Sequence, residues 1–452
     1  TLTMANLDAL PAVNRYLEAR FRSMPVADIV GAHHGRGHKK VPRTDMGGTF
    51  GGSAWADERR RLIEELIERF GPLPAGEMTP VVRNILAGLV TVADWIGSDE
   101  TFFPAGGLAA EVDPGQRADS AVTACGLDPP RFRPGLSFQD VFNVDPYPLQ
   151  TAFIQSAIEP GLYILEAPMG TGKTEAALYA AYQLMAAGHH HGLFFGLPTR
   201  LTSDRIHERV RAFLERVTDD DTVPALAHGQ AWLRAYEHGG EALRLGRSWS
   251  SPRKRTLLHP VAVGTVDQAL MSVIRVKHFF VRSFALAGKV VILDEVHTYD
   301  MYTGSLLEWM TAQLLAAGAT VIVLSATLTS DGRRRLFPDP AAAPADTEYP
   351  LVAYARGDQA GAIACEGPAD RHHRLRLAEM DPSDVARLAS EMADTGHCVL
   401  CIANTVAMAQ AWHDAIAAEQ TEGGPPLGLL HSRFPAFQRE AINNIITTIK
   451  PN

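Results

Sequence analysis

The sequence has few cysteines and no long apolar run. Four cysteines in 452 residues are too few for a disulfide framework and are typical of a reducing compartment. No apolar run approaches the roughly 20 residues that a membrane helix needs. No secretory signal peptide is recognisable at the start of the chain. The sequence therefore predicts a cytoplasmic protein without a membrane span.

An excess of basic residues is also lacking. The chain carries 42 Lys and Arg against 51 Asp and Glu, a net charge of -9, which argues against a protein coated in basic surface. A local nucleic-acid groove stays compatible with this balance, because binding depends on where the basic residues lie. With 46% apolar and 21% charged residues, the composition is that of a soluble globular protein. The length predicts two to four domains.

The two ends of the chain are unusual. It begins at Thr1 and ends at Asn452, directly after an apolar helical pattern. We expect a fragment of a longer protein.

The texture of the sequence changes along the chain. Residues 1–104 have helical periodicity, and residues 105–145 are rich in Gly, Pro, Asp and Ser and predict a linker. Over 146–345, short apolar strands alternate with helical patterns, which predicts a parallel α/β sheet. A second alternation begins in 346–452, with "HCVLCIAN" and "LGLLHSRF" as predicted strands. The expected fold is a partial all-α domain followed by two α/β domains, the first complete and the second partial.

The segment "EAPMGTGKTEAAL" (166–178) predicts a phosphate-binding loop. A strand ends at Glu166, a glycine-bearing turn follows, and a helix begins at Lys173. Glycines let backbone N–H groups curl around a phosphate at a helix N-terminus. In this interpretation Lys173 reaches the β- and γ-phosphates of ATP and the Thr174 hydroxyl ligates Mg²⁺. The loop residues expected to contact the nucleotide are Gly170, Thr171, Gly172, Lys173 and Thr174.

The segment "VVILDEVH" (290–297) predicts the partner of that loop. Four apolar residues end in adjacent carboxylates, Asp294 and Glu295, where ligands bind in parallel sheets. Asp294 would hold Mg²⁺ through water, and Glu295 would polarise the attacking water.

Further segments, in order, resemble the motifs of superfamily 2 helicases. "DEVH" is similar to a DEAH box, "YPLQTAFIQ" to a Q-motif, "GLPTRLTSDRI" to motif Ia, "VGTVDQAL" to motif Ib and "LSATLT" to motif III, while "IANTVAMAQ" resembles the start of a second RecA-like domain. The resemblance implies that Gln150 reads the adenine edge and that an ATP site lies between two sheets. It implies DNA contacts at Thr199, Arg200, Thr265, Gln268 and Thr405, and coupling through Ser325 and Thr327. For each contact residue, an ordinary cap or turn role remains an alternative.

The N-terminal region extends the resemblance. "AHHG" (32–35) and "VADWIGSDETFF" (92–103), placed before a helicase, resemble the CRISPR-associated type I helicase–nucleases, which fuse an HD-type nuclease to such a helicase. The resemblance implies metal ligands at His33, His34 and one of Asp94 and Asp99, and a transition metal such as Fe, Mn, Ni or Co suits them. The two aspartates lie about 140° apart on a helix, so one of them should face the metal. The family's earlier histidine and His-Asp dyad are not in this sequence.

The resemblance implies an ATP-dependent single-stranded DNA helicase and translocase coupled to a metal-dependent DNA nuclease. Such an enzyme is recruited by the Cascade surveillance complex to an R-loop, where it degrades the displaced strand. No motif V or VI follows the last helical pattern, so we expect this chain to bind ATP but to hydrolyse it poorly. Two alternatives remain: a superfamily 2 helicase with a structural N-terminal domain, and a non-catalytic piece that binds ATP and DNA.

Other metal-like patterns receive simpler interpretations. Cys398 and Cys401 fall within a predicted strand without a second pair, which favours core packing. The triple histidine 189–191 lies between a helix and a strand and predicts a solvated loop. The basic segment 371–377 is expected to bind no metal.

Overall fold

The structure is a computed structural model in which the chain divides into two compact units, Thr1–Pro368 and Ala369–Asn452. The residues that it describes are 29, 52–71, 78–104, 113–220, 222–227, 255–296, 301–344, 348–367, 377–420, 424–435, 438–439 and 441–442. Within these ranges, no helix combines the length and apolarity that a membrane crossing needs.

Among the described residues, the chain begins with three helices. They are α1 (Gly52–Phe70), α2 (Pro80–Gly97) and α3 (Pro114–Ala124). Thr79 caps α2, because its side chain accepts a hydrogen bond from the amide of Val82 at 3.3 Å. The N-terminal region is therefore helical where it is described, as the periodicity predicts.

An eight-stranded sheet organises the rest of the first unit. Its strands are β1 (Gly161–Glu166), β2 (Leu193–Leu197), β3 (Ala225–Ala227), β4 (Val261–Thr265), β5 (Val290–Leu293), β6 (Thr320–Ser325), β7 (Leu351–Arg356) and β8 (Gln359–Ala364). The strand order is β3-β4-β2-β5-β6-β1-β7-β8. Strands β1 to β6 pair with one another in parallel, which confirms the parallel α/β sheet predicted from the alternation.

Helices cover the sheet. They are α4 (Phe138–Phe142), α5 (Pro148–Ser156), α6 (Lys173–Ala186), α7 (Arg200–Val217), α8 (Val266–Leu270), α9 (Phe279–Leu286), α10 (Met301–Ala316) and α11 (Ser330–Leu336). Because strands β2, β4, β5 and β6 are buried along their whole length, they read as continuous apolar runs in the sequence. Alternate β1 residues enter opposite cores: Leu162 and Ile164 pack on one face, Tyr163 and Leu165 on the other.

The sheet continues beyond residue 345, the end predicted for the first α/β domain. Strand β7 pairs antiparallel with β1, and β8 pairs antiparallel with β7. The register that joins Leu165 to Val352 places Val352 in the same core as Leu165. Both strands therefore belong to the first sheet. The free edge of β1 supplies backbone hydrogen bonds to β7, and the apolar side chains of β7 are buried there.

The segment 105–145 is more than the linker that its composition predicts. It contains α3 and α4, and Phe138 and Val141 are buried against the sheet's helices. The hydroxyl of Tyr182 donates to the carbonyl of Arg133 at 2.6 Å. Gly and Pro content predicts irregular backbone but does not tell whether that backbone packs on a core.

The second unit contains α12 (Pro382–Asp394) and α13 (Val406–Glu419), which share a small core. No strand is assigned in the described residues of this unit, so the predicted strands at 397–404 and 427–434 are not formed there. Leu400 and Ile402 are 75% and 77% exposed, and Cys398 and Cys401 are exposed as well, which makes the expected core packing of these cysteines wrong. A strand needs a hydrogen-bonded neighbour, and the sequence pattern alone does not supply one.

The solvated loop predicted for the triple histidine holds for His189 and His191, which are exposed, but not for His190. His190 is buried, with Nδ1 3.1 Å from the carbonyl oxygen of Gly288 and Nε2 2.7 Å from the hydroxyl of Thr320. Burial lowers its pKa. This histidine therefore joins the N-terminal ends of β5 and β6 as a structural residue.

Candidate nucleotide-binding site and neighbouring elements

The loop between β1 and α6 has the strand–turn–helix form that the sequence predicts. Gly170 and Gly172 adopt φ values of 80° and 75°, a left-handed region that favours glycine. A Cβ on Gly172 would lie 2.2 Å from Nε2 of Gln150, so this position has no room for a side chain. Thr171 closes the turn by donating to the carbonyl of Pro168 at 2.8 Å.

Lys173 points back into its own loop. Its Nζ donates to the carbonyl oxygens of Ala167 at 2.7 Å and Pro168 at 3.0 Å, and the residue is buried. Burial lowers the pKa of this ammonium group, while Asp294 and Glu295 oppose that effect. The cation is therefore held by neutral acceptors next to two carboxylates, where an anionic ligand would be a stronger partner.

Asp294 and Glu295 follow β5 directly. The Asp294 amide donates to the carbonyl of Gly196 at 2.9 Å, and its Oδ1 accepts from the Glu295 amide at 2.9 Å. Burial and the Glu295 charge raise the Asp294 pKa to about 6, with Lys173 among the groups that oppose the shift. Glu295 has φ 56°, a strained conformation of the kind that clusters at functional sites.

Gln150 is joined to the phosphate-loop region. It is buried, its Oε1 accepts from the amide of Tyr147 at 2.9 Å, and its Nε2 donates to the carbonyl of Gly172 at 2.9 Å. Tyr147 itself is 63% exposed. The residue expected to read adenine thus also fixes the last turn of the loop before α6.

The "LSATLT" segment lies beside the same loop. Its Ser325 is paired with Glu166 across β6 and β1, and the Ser325 carbonyl accepts from the amide of Ala167 at 3.2 Å. The hydroxyl of Ser325 donates to the carbonyl of Thr327 at 2.9 Å, while Thr327 is exposed. The structure therefore brings this segment to the loop, although the two are about 160 residues apart in sequence.

Two charged pairs near the site were not found by sequence reasoning. Glu166 forms a buried ion pair with Arg333 of α11, and Glu175 of α6 pairs with Arg209 of α7. The signal for Glu166 was a carboxylate that ends an apolar strand. Nothing in the local sequence identifies Arg333 or Arg209 as the partners, because tertiary packing brings them there.

The expected DNA-contact residues fall into two groups. Leu197 pairs with Thr265, so the C-terminal ends of β2 and β4 lie side by side. Thr199 follows β2 and is exposed, and Gln268 follows β4 and is half-buried. Thr265 itself is buried at the start of α8. Arg200 is the first residue of α7. In the second unit, the Thr405 hydroxyl caps α13 by accepting from the Met408 amide at 3.1 Å, so it has the alternative cap role.

Of the four expected nuclease ligands, the described residues contain only the aspartates. His33 and His34 lie outside the described residues. The Asp99 Oδ1 accepts from the amide of Thr101 at 3.0 Å. Burial lowers the pKa of the Arg255 guanidinium, and the charge of nearby Asp99 opposes that effect. The half-buried Asp94 makes no side-chain hydrogen bond or ion pair within the described ranges. Those ranges contain no group of three or more His, Cys, Asp or Glu residues that could hold a metal.

Two regions of the chain match models of known protein families. Residues 7–103 match the family model described as "Cas3, HD domain", and residues 147–335 match that described as "DEAD/DEAH box helicase". The second match covers the β1–α6 loop, the Asp294–Glu295 pair and the "LSATLT" segment.

The names of curated relatives combine the same two activities. The chain is 32% identical to the CRISPR-associated endonuclease/helicase Cas3 of Thermus thermophilus and 30% identical to the Cas3 nuclease/helicase of Streptococcus thermophilus, over 94% and 92% of its own length. Among solved structures, the ADP form of T. fusca Cas3 is similar over 98% of the chain, with a TM-score of 0.82 and 29% identity. A CRISPR RNA-guided surveillance complex in a pre-nicking state includes a chain with a TM-score of 0.66 and 27% identity. The chain spans about half the length of these relatives, 54% and 50% for the two named.

Proposed function

The chain belongs to the CRISPR-associated Cas3 nuclease/helicases, and on that premise we propose that it acts as an ATP-dependent single-stranded DNA translocase coupled to a metal-dependent DNA nuclease. The observation that carries the proposal is the arrangement around Lys173. A buried cation, two carboxylates at the end of β5 and a buried glutamine all lie at one phosphate-binding loop.

ATP would occupy this loop. The Lys173 ammonium would exchange two neutral carbonyl partners for phosphate oxygens, and Gln150 would present its amide to adenine while it holds Gly172. Thr174 and Asp294 would hold Mg²⁺, a role that requires Asp294 to be ionised. Bound Mg²⁺ neutralises charge on the transferred phosphoryl group. Glu295 is then the group that orients water.

Single-stranded DNA would cross the neighbouring strand ends. Thr199 and Arg200 follow β2, whereas Thr265 ends β4 and Gln268 follows it. Because β2 and β4 are paired, contacts of these residues would fall along one edge of the sheet. Hydroxyl and amide contacts of this kind bind phosphates and read no sequence. Target choice then belongs to guide pairing in a partner, and the chain needs no base-reading residue.

The nuclease metal would be held by His33, His34 and Asp94. We favour Asp94 over Asp99, because the Asp99 carboxylate already accepts a hydrogen bond from Thr101 and lies near Arg255. Imidazole and carboxylate ligands suit Fe, Mn, Ni or Co. Such a metal activates water and stabilises the leaving oxygen of a phosphodiester.

The partner would be the Cascade surveillance complex, in a prokaryotic cytoplasm. The similarity to a chain of a surveillance complex in a pre-nicking state supports this partner. The substrate of the present chain would be the displaced strand of an R-loop.

Two measurements test the proposal. Lys173→Ala should abolish binding of a fluorescent ATP analogue, whereas Lys277→Ala, at an exposed lysine, should not. Metal content after reconstitution with Mn²⁺ should fall in His33→Ala, His34→Ala and Asp94→Asn but not in Asp99→Asn. Full metal retention in both histidine variants would favour a helicase with a structural N-terminal domain. Brisk ATP turnover by this chain would exclude the non-catalytic alternative.

A further inference from the structure

A buried ion pair links the phosphate loop to the "LSATLT" segment. Arg333 Nε lies 2.9 Å from Glu166 Oε1, and the two side chains are only 7% and 3% exposed. Burial raises the pKa of Glu166, and the charge of Arg333 opposes that effect. The pair is thus withdrawn from solvent, where each charge depends on the other.

Glu166 lies between the phosphate loop and the "LSATLT" segment. It is the last residue of β1, and the next residue, Ala167, supplies a carbonyl oxygen to Nζ of Lys173 at 2.7 Å. On the other side, its second carboxylate oxygen accepts from the amide of Leu328 at 3.2 Å. One carboxylate therefore contacts the "LSATLT" backbone and α11, while its own backbone leads directly into the nucleotide loop.

Arg333 has no competing partner within the described part of the chain. Its Nε and Nη1, like Oε1 of Glu166, make no hydrogen bond there, so the contact between the two side chains is an ion pair alone. Arg333 lies on α11, which begins after the segment and is capped by Thr329. A movement of Glu166 away from Arg333 would leave two buried charges unpaired, which is strongly unfavourable. The ion pair therefore favours a joint movement of the loop end of β1 and the start of α11 over a separation of the two.

We propose that Glu166 and Arg333 are positioning residues that transmit nucleotide occupancy of the phosphate loop to the "LSATLT" segment. This inference rests on the proposed ATP binding. When phosphate oxygens draw Lys173 away from the Ala167 carbonyl, the released end of β1 shifts, and the Glu166 carboxylate carries Leu328 and α11 with it. Removal of either charge should disconnect the two segments without removing any nucleotide ligand.

The test is hydrogen exchange of the chain with and without a non-hydrolysable ATP analogue and Mg²⁺. In the wild type, the analogue should slow exchange both in the phosphate loop and at the Leu328 amide, by about fivefold or more at Leu328. In Glu166→Gln and Arg333→Gln, loop protection should persist while the Leu328 response falls to less than about a third of the wild-type response. Arg335→Gln, which removes the half-exposed pair with Glu308 from the same helix, is the matched control and should respond as the wild type does.

A double variant, Glu166→Gln with Arg333→Gln, separates the transmission of nucleotide occupancy from the effect of leaving one buried charge unpaired. It contains no unpaired buried charge, so its Tm should recover relative to the single variants while the Leu328 response stays lost. A wild-type response at Leu328 in the double variant, or in either folded single variant, would overturn the proposal. Absence of loop protection in the wild type would instead contradict ATP binding itself, which keeps the two failures distinct.

Discussion

At the scale of single residues, the candidate site combines charges that oppose one another. Lys173 loses proton affinity through burial, and Asp294 gains it. Their mutual attraction only partly offsets the loss of hydration. A polyanion bound together with a divalent cation would add a negative charge beside Lys173 and a positive charge beside Asp294, and so would stabilise the charged form of each.

Asp294→Asn should show the energetic effect of this burial. The Asp294 pKa is raised from 3.8 to about 6, so the folded chain binds more protons than the unfolded chain between these pH values. Wild-type stability should therefore fall as pH rises through that window, by roughly 3 kcal/mol at most, since one pKa unit corresponds to about 1.4 kcal/mol. The asparagine variant lacks this loss, and its advantage in Tm should appear only as pH rises through that window.

The measurement is thermal unfolding of both proteins from pH 4 to pH 8 without nucleotide or metal. Asp358→Asn, in the exposed turn between β7 and β8, is the matched control for the change in charge. A Tm difference that is largest in acid would contradict the sign argued above.

Gln150→Glu should weaken nucleotide binding through the loop as well as through the base. The change replaces the Nε2 donor to the Gly172 carbonyl with an acceptor. A lost hydrogen bond of this kind costs about 1–2 kcal/mol, or about five- to thirtyfold in affinity. Titration with fluorescent ATP and GTP analogues separates the two roles, because base reading predicts a larger loss for ATP.

Gln139→Glu, on the exposed face of α4, controls for the added charge. Unchanged affinity for both nucleotides in Gln150→Glu would show that neither role is used.

At the scale of elements, the HD-type region is joined to the helicase core by helix packing. Helix α2 contacts α9, and Gly88 lies where the helices are closest: a Cβ there would be 2.4 Å from Phe284 Cβ and 2.5 Å from the Phe280 carbonyl oxygen. The guanidinium of Arg255 stacks on Trp95 of α2, with 4.9 Å to the ring centroid. The absence of a side chain at one position thus sets the distance between two functional regions.

Gly88→Ala should push these helices apart. The new Cβ would clash with backbone atoms of α9, which cannot move aside as a flexible side chain could. We therefore expect a loss of about 1–3 kcal/mol in the free energy of unfolding. Gly97→Ala, at the C-terminal end of α2 with nothing within 4 Å of the new Cβ, is the matched control. It should leave stability unchanged or raise it by roughly 0.4–1 kcal/mol. Equal effects in denaturant titrations would exclude the close packing as the cause.

At the scale of the whole molecule, the apolar cores indicate which helices and strands unfold together. One apolar cluster contains Ile29, residues of α2 and α3, and residues of β1, β5 and α9. Helices α2 and α3 therefore share a core with the sheet. The second unit has its own small core around Ala386, Ala389 and Ile416.

Calorimetry should therefore give two transitions, one for each unit. The transition of Thr1–Pro368 should move to higher temperature with MgADP, by an amount that grows with nucleotide concentration, because the proposed phosphate and Mg²⁺ ligands are all in this unit. The smaller transition of Ala369–Asn452 should not move. Lys173→Ala should remove the shift, whereas three separate transitions would contradict a core shared by α2 and the sheet.

The sequence by itself determined the phosphate-loop turn, the carboxylates after β5 and the parallel strands, because each depends on local backbone preferences and a short apolar run. Tertiary structure alone decided that β7 and β8 extend the first sheet, that His190 is buried, and that Arg333 reaches Glu166. The described residues also leave Cys398 and Cys401 exposed, against the expected core role. In each of these cases the energy depends on a partner distant in sequence, and local periodicity carries no information about that partner.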